Sequence, residues 1–124
     1  MAETQTTITR KNLQRGKMLD RLYKALAEYE AAIVAAMEQI HKYEMWIASG
    51  KDDTGNALDA EDNACLSSLI YDLNQQIIQD ADTAWWLRKE IQKLIDEAIA
   101  EANAYLIATT QPLRSYKGIF VSPK

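Results

Sequence analysis

The sequence predicts an all-α fold, an elongated, coiled-coil-like antiparallel helical hairpin completed as a four-helix bundle by dimerisation. Three observations predict it. Apolar residues recur at Leu19, Leu22, Leu26, Tyr29, Ile33, Ala36, Ile40, Tyr43 and Ile47, alternating steps of three and four, the a and d spacing of a helix–helix seam. A second seam keeps phase through Leu66, Ile70, Leu73, Ile77, Asp80, Ala84, Leu87, Ile91, Leu94, Ala98, Glu101 and Tyr105. Between the two lies GKDDTGNAL at 50–58, with the glycine, asparagine and aspartate content of a turn.

Residues 1–8 are threonine-rich and aperiodic and are expected to form a flexible lead. Thr7 or Thr9 can cap a first helix over about 9–49, because a threonine hydroxyl accepts one of the backbone N–H groups a helix start leaves unpaired. Gly16 weakens its first turns by about 1 kcal/mol relative to alanine. Gly50 suits a left-handed helix cap. Asp59 suits the N-cap of a second helix over about 59–110, with Glu61 and Asp62 favourable against the positive end of its dipole. Pro112 is expected to end that helix, leaving a non-helical tail at 111–124. Asp80, Asp82 and Thr83 offer an alternative, a break near Asp80 that gives a three-helix bundle. The unbroken phase of the seam favours one helix. A turn centred near residues 54–55 sets Trp85 and Trp86 beside Tyr23 and Lys24, and Trp46 near Asn63.

One hairpin partner covers an a/d seam and nothing more. Tyr71, Ile78 and Trp85 all occupy b positions of the second helix, with Trp86 beside them and Ile99 and Leu106 continuing the row. Large apolar side chains in an uncovered row mark an interaction surface, and tryptophan is enriched among the residues that anchor interfaces. Tyr71, Ile78, Trp85 and Trp86 are therefore the residues expected to drive self-association into a homodimer. In the tail, Tyr116, Ile119 and Phe120 are the expected contacts for an unidentified protein partner, presented on a short docking peptide.

Chemistry enters mainly by exclusion. His41 is the single histidine, with no aspartate, cysteine or second histidine at ligand spacing on its face, so a solvated position outweighs a metal site. Cys65 is the single cysteine, without a histidine near it in sequence to activate it, and is expected to be buried and structural. Counting a calcium loop from Asp52 puts Ala57 at its glycine position and Asn63 at its bidentate glutamate. The acidic turn therefore reads as a charged loop with a helix cap. No phosphate-binding glycine loop or serine-nucleophile motif occurs. Asp80 and Glu101, the carboxylates in the seam, are expected to be buried and to fix register or oligomer state. No catalytic residue, metal or cofactor is expected.

The formal net charge of −4 with 48% apolar and 26% charged residues is that of an ordered domain, and no apolar run is long enough to span a bilayer. A cytoplasmic protein without a signal peptide is the expectation. The expected function is non-catalytic, that of a small adaptor, assembly factor or inhibitor working through protein surfaces. Site-free helical proteins of this size are frequent among phage and mobile-element accessory factors, anti-defence inhibitors included. The alternative is a dimeric RNA- or DNA-binding protein that grips phosphates with Arg10, Lys11, Arg15, Lys17, Arg21 and Lys24, of which 10, 17, 21 and 24 share a helix face.

Overall fold

The computed structural model of the chain describes residues 5–114. Two helices, α1 (Gln5–Ser49) and α2 (Ala60–Arg114), pack against each other as a hairpin. A lone antiparallel bridge between Lys51 and Ala57 closes the turn between them.

Two boundaries depart from expectation. α1 begins at Gln5 instead of near Thr9. Residues 5–8 contain no glycine or proline, and glutamine, threonine and isoleucine each cost a helix only a few tenths of a kcal/mol. α2 passes through Pro112 to Arg114, so residues 111–114 do not belong to a non-helical tail. A proline removes one helical hydrogen bond and crowds the preceding turn at a cost of about 3 kcal/mol, yet its fixed φ is itself helical. α2 is also continuous through Asp80, so the three-helix alternative is not adopted. Residues 1–4 of the expected lead and 115–124 of the expected tail lie outside the described residues.

The turn is held by its own polar groups. The backbone N–H and hydroxyl of Thr54 donate to Asp52 Oδ1 at 2.9 and 2.7 Å, and the N–H of Asn56 donates to the same oxygen at 2.9 Å. Gly55, with φ of 86°, donates its N–H to the Asp52 carbonyl at 3.0 Å. The hydroxyl of Thr54, with the other bonds to Asp52, holds the Asp52 carboxyl below the ordinary aspartate pKa. Gly50 closes α1 in the left-handed conformation, φ 74°, its N–H donating to the Trp46 carbonyl at 2.8 Å. Asp59 caps α2 as expected. Its carboxylate accepts the Asp62 N–H at 2.7 Å while the Asp62 carboxylate accepts the Asp59 N–H at 3.0 Å, a reciprocal box with aspartate in the place usually held by glutamate.

The chain divides into two compact units, and each is described separately. In Asp20–Lys89, which contains the turn, Ala36, Leu66 and Ala84 are buried, and Ile33, Ile40, Tyr43, Ile70, Leu73 and Ile77 are half-buried around them. Small residues at Ala36 and Ala84 permit close approach of the two backbones. Arg88 pairs with Glu30 across the helices, and Lys42 Nζ lies 3.3 Å from Asp53 near the turn. The Glu30–Arg88 pair sits nearer the turn on α1 than the register drawn from turn length alone. Side chains on both helices lean toward their own N-termini, which carries Arg88 toward the turn and Glu30 away from it. In the other unit, formed from the start of α1 and the part of α2 beyond Lys89, Ile91 is buried and Leu94 and Ala98 are half-buried. There Arg15 lies 2.9 Å from Glu101.

Two glycines give opposite predictions for the same substitution. An added Cβ meets no heavy atom within 4 Å at either Gly16 or Gly50, so neither change creates a clash. Gly16→Ala is expected to stabilise the protein by about 1 kcal/mol through helix propensity. Gly50→Ala is expected to destabilise it by about 1–2 kcal/mol, because a side chain disfavours positive φ. Urea unfolding followed by far-ultraviolet circular dichroism measures both.

The Asp52 turn predicts a pH effect of definite sign. A folded-state pKa below the unfolded one means that the hydrogen bonds stabilise the turn above the ordinary aspartate pKa, and that this contribution is lost as pH falls through the folded value. In an NMR titration the Asp52 carboxyl should titrate below the ordinary aspartate value, and Thr54→Val should move its midpoint upward. An unmoved midpoint would remove Thr54 as the main cause.

Candidate interaction surface

Heptad position decides what the hairpin leaves uncovered. Within Asp20–Lys89, Tyr71, Ile78, Trp85 and Trp86 are between 52% and 63% exposed, as expected of b and c positions that face away from the seam. Ile99, Leu106 and Ile107, in the other unit, are likewise exposed. The rings of Trp85 and Trp86 meet edge to face at 5.8 Å between centroids, and Lys89 Nζ stands 5.0 Å over the Trp85 ring. Adjacent tryptophans on one helix therefore form a single aromatic ridge.

α1 contributes a second set of exposed apolar residues that the sequence reading did not single out: Tyr23, Val34 and Met37. Tyr23 and Met37 lie one heptad either side of Glu30, and Val34 lies one turn beyond it. On α2, Trp85 and Ile78 lie on the outward side of Arg88 in the same way. Because Glu30 and Arg88 pair across the helices, the two sets flank one edge and share one side of this unit. The signal in the sequence was the e and b spacing of Tyr23, Val34 and Met37, diluted there by Asp20, Glu30 and Glu44.

This side carries an open notch of about 350 Å³ lined by Val34, Met37, Glu38 and His41. The opposite side of the same unit is more polar, with Arg21, Glu28, Asp72 and Gln79 on it, although Trp86, one heptad beyond Gln79, and Leu69 interrupt it. This unit thus presents two unlike sides, one richer in exposed apolar residues and one richer in polar ones.

The polar residues of the seam behave differently from each other. Asp80 is buried, 6% exposed, and accepts a hydrogen bond from Gln76 Nε2 at 2.9 Å. Glu101, expected to be buried, is half exposed and engages Arg15. The longer side chain carries its carboxylate out of the seam to meet a guanidinium that is itself largely covered. Arg15 also donates to Asn12 Oδ1 at 3.1 Å. The basic run is therefore divided. Arg15 is committed to an internal pair, whereas Arg10, Lys11, Lys17, Arg21 and Lys24 are exposed, the first three in one unit and the last two in the other.

Cys65 is exposed, not buried as expected. It falls one residue before Leu66 and so faces away from the seam. His41 is exposed at the edge of the notch. Among the described residues no group of three or more histidine, cysteine, aspartate or glutamate side chains is placed to hold a metal ion. No described helix is long and apolar enough to cross a membrane. Tyr116, Ile119 and Phe120, the expected partner contacts, lie outside the described residues.

Asp80 gives a direct test of what a buried carboxylate does in the seam. Asp80→Leu replaces a buried polar group with an apolar one of similar reach and leaves Gln76 free to be hydrated. It is expected to raise stability by about 1–3 kcal/mol and to broaden the distribution of oligomers seen by analytical ultracentrifugation. A less stable variant with an unchanged distribution would mean that Asp80 is a stabilising contact, not a specifying one. Comparison of the chain with protein-family models, with curated proteins and with solved structures finds no match.

Proposed function

We propose that this chain is a non-catalytic protein–protein interaction protein, a small adaptor, assembly factor or inhibitor, that self-associates as a homodimer and completes a four-helix bundle. The observation that carries the reading is the exposure of Tyr71, Ile78, Trp85 and Trp86 on α2 together with Tyr23, Val34 and Met37 on α1, in one unit. Contiguous apolar surface of this kind marks an interaction site. Most helix stability in proteins comes from packing of an apolar face, and two helices alone bury only the residues along their shared seam. A second pair of helices supplies the missing layer. The residues that would carry self-association are Tyr71, Ile78, Trp85 and Trp86.

The competing reading, a phosphate-gripping nucleic-acid binder, is weakened by the Arg15–Glu101 pair, which neutralises one member of the basic run. A formal net charge of −4 also opposes a polyanionic ligand.

Light scattering coupled to size exclusion tests the reading. The wild-type chain of 14.1 kDa should elute with the mass of two copies and without bound nucleic acid. Trp85→Glu should weaken dimerisation at least ~30-fold, the scale of an interface anchor. A monomer at micromolar concentration would refute self-association. Co-elution of nucleic acid that salt removes would favour the competing reading.

A further inference from the structure

We infer that the second copy seats on the side of the hairpin marked by the Glu30–Arg88 pair, with α1 of each copy lying along α2 of the other about a two-fold axis parallel to the helices. The inference rests on the self-association proposed above and adds its face, its partner residues and its symmetry.

The choice of side follows from the unequal faces. Apolar residues of both helices accumulate on the Glu30–Arg88 side, where this charged pair is already neutralised. The opposite side carries Trp86 and Leu69 among Arg21, Glu28, Asp72 and Gln79, polar groups whose burial would each require a partner, so of the two adjacent tryptophans Trp85 is the one this seat covers. Area agrees. Tyr23, Val34, Met37, Tyr71, Ile78 and Trp85 are each more than half exposed, and large side chains offer on the order of 100–200 Å² each. Covering them buries roughly 700–800 Å² per copy, which matches the ~800 Å² per partner of a stable interface.

The symmetry follows from level. Counted from the turn between Ser49 and Ala60, residues 34–41 of α1 lie level with about residues 68–75 of α2. Tyr71 falls in that span, and the lean of side chains toward each helix's own N-terminus brings Ile78 toward the level of Val34. The notch of Val34, Met37, Glu38 and His41 is therefore level with the row of Ile78 and Tyr71. A two-fold axis parallel to the helices preserves level and exchanges α1 for α2, so the large α2 side chains of each copy meet the notch of the other. It also makes every neighbouring pair in the bundle antiparallel, which opposes the helix dipoles. An axis perpendicular to the helices within the interface also keeps neighbours antiparallel, but it would stack α1 on α1 and α2 on α2, setting the large α2 side chains against each other instead of against Val34 and Met37.

Two measurements on the full-length chain test this. Dimer mass and affinity are compared for wild type, Met37→Glu and Leu69→Glu, with circular dichroism to check that helix content is retained. Met37→Glu should weaken the dimer at least ~30-fold and Leu69→Glu by less than ~3-fold. Next, in a Cys65→Ser background, a tagged Val34→Cys chain is mixed with an untagged Ile78→Cys chain and treated with a bismaleimide of ~8 Å reach, the spacing of packed helices. The mixed product should dominate. Met37→Glu chains that remain dimeric, or Val34–Val34 and Ile78–Ile78 products in place of the mixed one, would overturn the placement while leaving self-association standing. A monomeric wild type would remove both.

Discussion

Two helices share a single line of contact, and the rest of the structure answers to that limit. A helix is covered only where its neighbour touches it, so among the described residues just Ala36, Leu66, Ala84 and Ile91 count as fully buried apolar positions. Large seam residues such as Ile33, Ile40 and Ile77 are half-covered, because no third element closes over their flanks. Tyr29, at a seam position, is still about one-third exposed. Two of the four buried positions are alanines, for a geometric reason. Where Ala36 and Ala84 stand, nothing projects past the line of contact.

The same limit gives the polar residues of the seam their meaning. A fully apolar seam of regular period pairs in several registers, and sliding by a heptad costs little. Asp80 is buried in this alignment, with Gln76 of its own helix as donor, and a buried polar group at a seam position disfavours alignments that set large apolar residues against it. Arg15 and Glu101 act similarly at the other unit, where a largely covered guanidinium finds its carboxylate only at one offset. Stability is given up at these positions and a single alignment is gained.

Much of this was legible in the sequence because heptad position controls exposure. The seam, the uncovered row on α2, the cap at Gly50 and the cap at Asp59 all follow from spacing and local chemistry. What was not legible depends on relations between the helices. Periodicity assigns Tyr23, Val34 and Met37 to the flank of α1, but it does not say which flank of α2 adjoins them; the Glu30–Arg88 pair does. Glu101 was misjudged because a position in the pattern fixes where a side chain starts, and a long side chain ends elsewhere. The helix ends at Gln5 and beyond Pro112 escaped for a different reason, since weak local preferences and even one proline are overridden within a long helix.

The turn end of the hairpin bears on where recognition happens. A helix N-terminus is ordinarily an invitation to anions, but the start of α2 is occupied by the carboxylates of Asp59 and Asp62, each bound to the other's backbone N–H. The neighbouring loop has directed Asp52 inward onto Thr54 and Asn56. Groups that might have served a ligand there are already spent on holding the reversal of the chain. The sides of the hairpin are the reverse case. Their apolar residues stay largely exposed on helices already held by the seam and the turn. Any interaction this chain makes through its described residues is therefore best sought along its flanks.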